Sequence, residues 1–328
     1  MGIASPLVKL DSGQLMPLVG FGCWKVDNAT CADTIYNAIK AGYRLFDGAC
    51  DYGNEAECGD GIARAIQEGL VRRSDLFIVS KLWTTYHEPH RVEQACRKSM
   101  ADWKVDYLDL YLVHFPFCTK FIPFDVKYPP EWQDGNDVVA MGTTPMRDTW
   151  GAMEGLVDAG IARNIGVANF QSQMLLDLLN YSRIKPATLQ VEHHPYLSQP
   201  LLLDLAKKNN VQVTAYSSLG PASFIELAIK HAQDAQPLLE DAKIVAIGEK
   251  HGKTPAQVLL RWSTQRGIAV IPKSANPIRM QQNLECTFFD LDKDDLAYLN
   301  GLNRGLRFND TIYVRALVIS QSISCSAW

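Results

Sequence analysis

The sequence predicts an α/β chain folded as a single (β/α)8, or TIM-type, barrel with an N-terminal β-hairpin and long loops on its C-terminal face. Three observations predict it. Short apolar runs alternate with amphipathic segments of helical period, several of the runs end on a polar residue, and no Pro/Gly/Ser linker or change of composition divides the 328 residues. With 47% hydrophobic and 21% charged residues the chain can bury a large core, which excludes a disordered or fibrous protein. The net charge of −4 and pI near 6.0 leave no global field to draw in nucleic acid or an anionic membrane.

Taken in order, the segment 8–20 predicts a hairpin turning at Ser12-Gly13. Apolar runs at 18–22, 43–46, 76–80, 108–113, 161–168, 187–191, 211–216 and 268–272 predict the barrel strands. Helical spacing marks 30–40, 54–67, 89–103, 145–159, 171–181 and 254–265. Thr30, Asn54 and Thr254 are the expected N-caps, Pro255 suits a first helical position, and Gly42, Gly69, Gly160 and Gly267 stand where left-handed C-caps belong. Two irregular stretches, 115–144 and 220–236, follow the fourth and seventh strands, which places both on the C-terminal face where barrel enzymes carry their chemistry.

The apolar runs are broken well short of the roughly 20 residues a bilayer span needs, and the N-terminus lacks the basic-then-apolar pattern of a secretion signal. Eight cysteines without a CxxC pair predict reduced thiols and a cytoplasmic protein. His193-His194 invites a metal reading, but no HExxH or carboxylate-spaced set accompanies it, so no metal is expected, and adjacent strand histidines face opposite ways.

Asp47, Lys81 and His114 each stand directly after a predicted strand, and Tyr52 lies five residues beyond Asp47. Singly, such residues cap helices, meet solvent or fill core. Together they describe a proton donor, its tuner and an orienting group: an ammonium from Lys81 would lower the Tyr52 pKa, Asp47 would keep that ammonium charged in a buried site, and His114 would hydrogen-bond a substrate carbonyl.

On this pattern the chain resembles the aldo-keto reductases, most closely the fungal pentose-reducing members. The resemblance rests on GYRLFDGACDYGNE at 42–55, SKLW at 80–83, LVHFP at 112–116, GVANF at 166–170, LQVEHHPYL at 189–197, AYSSLGP at 215–221, IPKSANPIR at 271–279 and LRFND at 306–310. It implies a catalytic tetrad of Asp47, Tyr52, Lys81 and His114, with Tyr52 as general acid. It also implies NADPH as cofactor, with NADH as a second candidate. The nicotinamide would stack on Tyr216, with its carboxamide held by Asn169 and Gln190, and Lys25, Ser217, Ser218, Leu219 and Gly220 would follow the pyrophosphate. Lys273, Ser274 and Arg279 would meet a 2′-phosphate, Asn283 the adenine, and Glu226 the ribose when NADH binds. The absence of a GxGxxG loop agrees with a barrel rather than a Rossmann cofactor site.

The resemblance implies an aldose pocket of Trp24, Asp51, His114, Phe115, Phe224 and Asn309, with reduction of the open form of D-xylose to xylitol as an entry to xylose catabolism, and a homodimer. Competing readings are a relative preferring arabinose, glyceraldehyde or glycerol, and a weakly active cofactor-binding protein. Three departures bear on this. Ala168 replaces the family's serine beside the carboxamide, Ala275 replaces an asparagine associated with NADH use, and residues 311–328 lack the family's closing Pro and aromatic residues, as if from a shifted frame or an unspliced intron. The expected division is therefore a reductase barrel at 1–310 and an atypical tail at 311–328, with sugar affinity weakened by the tail.

Overall fold

The N-terminal strands β1 (Leu7–Lys9) and β2 (Leu15–Pro17) pair antiparallel across a turn in which Gly13 takes a φ of 88°, as the Ser12-Gly13 signal predicts. The computed structural model describes residues 5–131 and 139–310; the predicted tail at 311–328 and part of the 115–144 loop lie outside them. Eight further strands follow: β3 (Phe21–Gly22), β4 (Leu45–Asp47), β5 (Phe77–Leu82), β6 (Leu110–Val113), β7 (Ile165–Ala168), β8 (Thr188–Glu192), β9 (Gln212–Tyr216) and β10 (Ala269–Val270). All eight pair in parallel with their neighbours in sequence. The sheet closes on itself, because Val270 N–H donates to Leu18 O and Gly20 N–H to Val270 O around a Val19–Val270 bridge.

Helices α1 (Asn28–Ala41), α2 (Glu55–Gln67), α3 (Pro89–Trp103), α4 (Met146–Asp158), α5 (Ser172–Tyr181) and α6 (Pro200–Lys208) follow successive strands up to β8. After β9 come the short α7 (Lys230–Gln233), α8 (Ala242–His251) and α9 (Pro255–Thr264), and after β10 come α10 (Pro277–Leu284) and α11 (Lys293–Gly301). Thr254 caps α9 through a reciprocal box with Gln257, and Gly42 ends α1 at a φ of 117°, both as predicted. The cap of α1 is Asp27 rather than Thr30, since its carboxylate is placed to accept Ala29 N–H one turn earlier. Asn54 occupies the cap position of α2, yet its amide is buried and donates to Cys23 O and Val26 O instead. The spacing predicted no element for α6, α8, α10 or α11, although Asp241, Asn276 and Asp292 cap the last three.

Strand alternation sorts the core into two shells. Phe46, Ile78, Tyr111, Val113, Val167, Leu189 and Val213 face the helices, whereas Leu45, Phe77, Val79, Leu110, Leu112 and Ala168 fill the barrel interior. Leu10 and Met16 of the hairpin join the interior cluster and plug its lower mouth. Beside the plug, the buried Asp109 carboxylate accepts Gln14 Nε2 and Ile78 N–H and pairs with Arg73 at 2.8 Å. The lower end is thus sealed, and the inward residues one step above the Leu45, Val79 and Leu112 layer are left facing the upper mouth.

Candidate active site

Continuing the inward register above Leu45, Val79 and Leu112 brings Asp47, Lys81 and His114 to one level at the C-terminal ends of β4, β5 and β6. Lys81 is fully buried, and its three ammonium protons each have an acceptor: Asp47 Oδ1 at 2.6 Å, Gly48 O at 2.8 Å and Tyr52 Oη at 3.1 Å. The other carboxylate oxygen of Asp47 accepts Gln190 Nε2 at 2.6 Å. Tyr52 reaches Lys81 because the single turn Cys50–Tyr52 ends at Gly53 in the left-handed region, which folds the chain back over the strand end.

The four residues that the sequence singled out for acid–base chemistry therefore do meet. Their electrostatics differ from expectation in one respect. Burial, then the carboxylates of Asp47 and Asp51, holds the Tyr52 phenol well above the usual tyrosine range, where an ammonium beside it was expected to lower the pKa. Burial is the larger cause, and the geometry adds to it: Asp47 compensates the charge of Lys81 at closer range than Lys81 approaches the phenol oxygen. Burial likewise pushes the His114 imidazole below its ordinary value, partly offset by Asp51, whose Oδ1 lies 3.2 Å from Nδ1. His114 is stacked on Phe115 at 4.8 Å and edge-on to Trp83 at 5.2 Å.

Above this level opens a cleft of about 470 Å³. One wall holds Tyr216, whose hydroxyl donates to Asn169 Oδ1 at 2.6 Å and accepts Asn309 Nδ2 at 2.9 Å. Asn169 Nδ2 in turn donates to His114 O at 2.8 Å, so both ends of this amide are engaged within the protein. Asn169 and Ser217, each following a strand, take positive φ values of 63° and 51°, a costly conformation for residues with a Cβ that the surrounding bonds must hold. Lys25, just beyond β3, reaches the loop that follows β9, within 2.5 Å of both Glu226 Oε1 and Ser223 O.

Ser217, Ser218, Leu219, Glu226 and Lys273 line the cleft together with Trp24, Asp51, Phe115, Phe224 and Asn309. Gly220, Ser274, Arg279 and Asn283 do not line it. Arg279 is exposed on α10 with Nε 3.5 Å from Ser274 Oγ, close in sequence to Lys273, while Asn283 is buried. The rings of Trp24 and Phe224 lie 5.9 Å apart, and Trp24 lies 6.5 Å from Tyr52.

Trp83, Ile271 and Pro272 also line the cleft without having been picked out as site residues. Trp83 had a signal in the sequence, since it stands two residues past Lys81 on the same parity and so faces the same mouth. His193 and His194 diverge as predicted for adjacent residues: His193 stacks on Trp262 at 4.7 Å, whereas His194 Nε2 lies 2.8 Å from Glu192 Oε1. Among the described residues no group of three or more His, Cys, Asp or Glu side chains could hold a metal ion, and no helix is long and apolar enough to cross a membrane.

The cleft offers flanking lysines, an aromatic face and serine hydroxyls, a donor set suited to a phosphorylated dinucleotide. Its floor offers a protonated phenol hydrogen-bonded to an ammonium, suited to carbonyl reduction. Comparison with known proteins agrees. The model of the aldo/keto reductase family matches residues 18–304. A probable NAD(P)H-dependent D-xylose reductase of Aspergillus flavus is 61% identical over 310 residues, covering 94% of this chain and 97% of the relative. The corresponding probable enzyme of Aspergillus clavatus is 59% identical over 318 residues, covering 97% and 96%. The NAD(P)H-dependent D-xylose reductase of Aspergillus niger is 59% identical over 310 residues, covering 94% and 97%.

Proposed function

Because the chain belongs to the aldo/keto reductase family, we propose that it is an NAD(P)H-dependent reductase acting on the open form of D-xylose, giving xylitol. The single observation that carries the reading within this molecule is the complete set of acceptors around Lys81. With its acceptor position filled by the Lys81 ammonium, the Tyr52 oxygen keeps its own proton free to be donated toward the cleft. A bound nicotinamide cofactor supplies the hydride for the aldehyde carbon. Tyr52 Oη gives its proton to the carbonyl oxygen, Lys81 stabilises the phenolate that remains, and Asp47 keeps Lys81 charged and aimed.

His114, neutral and fixed by its aromatic neighbours, orients the carbonyl, and Asp51 and Asn309 meet sugar hydroxyls. Tyr216, which lines the cleft and bonds to Asn169, would hold the nicotinamide, and Asn169 and Gln190 would hold its carboxamide. Lys25 and the 217–220 turn would hold the pyrophosphate, Lys273, Ser274 and Arg279 a 2′-phosphate, and Asn283 and Glu226 the adenosine end. These assignments favour NADPH, since exposed Arg279 and Lys273 suit a dianion. A broader aldehyde reductase is the second reading, favoured by the aromatic wall of Trp24, Phe115 and Phe224. Initial rates with D-xylose, arabinose, glyceraldehyde and hydroxyl-free aldehydes separate the two; kcat/KM for D-xylose below that for every other aldose would overturn the first.

We place the enzyme in the cytoplasm, in keeping with seven described cysteines that are all free and buried, and as a homodimer, which sedimentation at micromolar concentration tests.

A further inference from the structure

Glu192 ends β8 two residues beyond Gln190, on the inward register, and is completely shielded from solvent. No cationic Lys or Arg partner for it occurs among the described residues; its carboxylate is met by backbone instead. Oε1 accepts Phe308 N–H at 2.8 Å and Oε2 accepts Asn309 N–H at 2.8 Å, while His194 Nε2 lies 2.8 Å from Oε1. The backbone of the same residue adds another tie: Glu192 O accepts Gln199 Nε2 at 2.7 Å, and Gln199 Oε1 accepts Arg307 at 3.0 Å. Three consecutive residues, 307–309, thus hang from one glutamate. The Phe308 ring is buried between His194, His231 and Phe224, at centroid distances of 5.3, 5.7 and 5.9 Å.

From this clamp a continuous line of hydrogen bonds runs across the cleft: Asn309 Nδ2 to Tyr216 Oη, Tyr216 to Asn169 Oδ1, and Asn169 Nδ2 to His114 O. A buried carboxylate survives only when its lone pairs are satisfied, and losing it would strip the Phe308 and Asn309 N–H groups of the acceptors they use here. We infer that Glu192 is a positioning residue that latches the 307–309 segment over the barrel mouth, and that by fixing Asn309 it sets the preference for polyhydroxylated over hydroxyl-free aldehydes. The inference rests on the reading of this cleft as a sugar-aldehyde site.

Two measurements test it. In amide hydrogen exchange, the Phe308 and Asn309 amides of the wild-type protein are expected to be protected by at least about a hundredfold, and Glu192→Gln to speed their exchange by about tenfold or more. Wild-type amides exchanging near the rate of an unfolded peptide overturn the latch without any variant. In kinetics, Glu192→Gln is expected to lower kcat/KM for D-xylose by about tenfold, chiefly through KM, while changing kcat/KM for pentanal by less than about threefold. In an Asn309→Ala background the same substitution should change the xylose-to-pentanal ratio by less than about twofold.

Equal losses on both aldehydes, or an undiminished effect in the Asn309→Ala background, overturn the selectivity role. If Glu192→Gln does not fold, Gln199→Ala, which cuts only the outer tie, is expected to shift the ratio in the same direction, and no shift overturns the proposal. A wild-type enzyme inactive on every polyhydroxylated aldehyde but active on pentanal sinks the sugar reading and the selectivity role together, while amide exchange still decides the latch.

Discussion

Lys81 Nζ lies 2.6 Å from Asp47 Oδ1, with both side chains all but closed to solvent inside the barrel. A charge in that position is held only by its counter-charge, because removing one partner strands the other where water cannot reach it. The rest of the site is built outward from this pair: Asp47 also holds Gln190, and Lys81 also holds Tyr52.

Breaking the pair should therefore cost stability as well as activity. Lys81→Met and Asp47→Asn are each expected to lower the unfolding free energy by about 3–5 kcal/mol, with the double substitution costing less than the sum. Urea unfolding curves read this directly; losses below about 1 kcal/mol for both single variants would show that the pair is not energetically coupled.

Tyr52→Phe removes the proton and leaves the cleft's shape. Turnover should fall by about 10²–10⁴-fold while cofactor affinity stays within a few-fold. Burial and the neighbouring carboxylates hold the phenol above its ordinary value. The ultraviolet difference titration between cofactor-free wild type and Tyr52→Phe should accordingly show no phenolate from this residue up to about pH 10. Phenolate absorbance appearing near pH 8 would contradict that direction.

Arg279 tests cofactor choice. Arg279→Ala is expected to weaken NADPH by about ten- to a hundredfold and NADH by far less, since a charge-assisted contact to the 2′-phosphate is worth roughly 1.5–3 kcal/mol. Fluorescence titration with both cofactors decides, and matched losses would remove Arg279 from the 2′-phosphate site.

Stability should fall with acid. His87 is 1% exposed, and burial, with a smaller contribution from His114, pushes its imidazole down to about 3. Its folded value lies below its unfolded one, so the stability it contributes is fully present above about pH 6.5 and is lost as pH falls through the window toward 3, at about 1.4 kcal/mol per unit. His193, also held well below its ordinary value by burial and by Arg266, adds in the same sense. Denaturant unfolding at pH 7.5, 6.0 and 5.0 should show His87→Leu with a slope shallower than wild type by about one proton; an unchanged slope would show that His87 is not the group titrating.

Much of this molecule was legible in its linear order. Alternating apolar runs predicted all eight barrel strands, because a strand buried on both faces must be apolar along its length and must end where the sequence turns polar. The same logic found Asp47, Lys81 and His114, since a polar residue on the inward parity at the C-terminal end of a barrel strand has only the open mouth to face. Cap chemistry was less readable: Asp27 and Thr30 are both competent caps, and only the path of the backbone out of β3 decides which carboxylate or hydroxyl meets the free N–H groups.

What the tertiary structure alone decided are relations between residues far apart in sequence. Whether Lys81 lowers the pKa of Tyr52 depends first on how deeply the phenol is buried and then on how closely Asp47 compensates the ammonium, a distance set by the pairing of β4 with β5. The tie between Glu192 and the 307–309 segment joins positions more than a hundred residues apart through backbone N–H groups, which every residue but proline carries and which therefore leave no mark in a sequence. Residue types and periods record which side groups turn inward; Coulomb energies and hydrogen bonds depend on the ångström separations that only the closed barrel establishes.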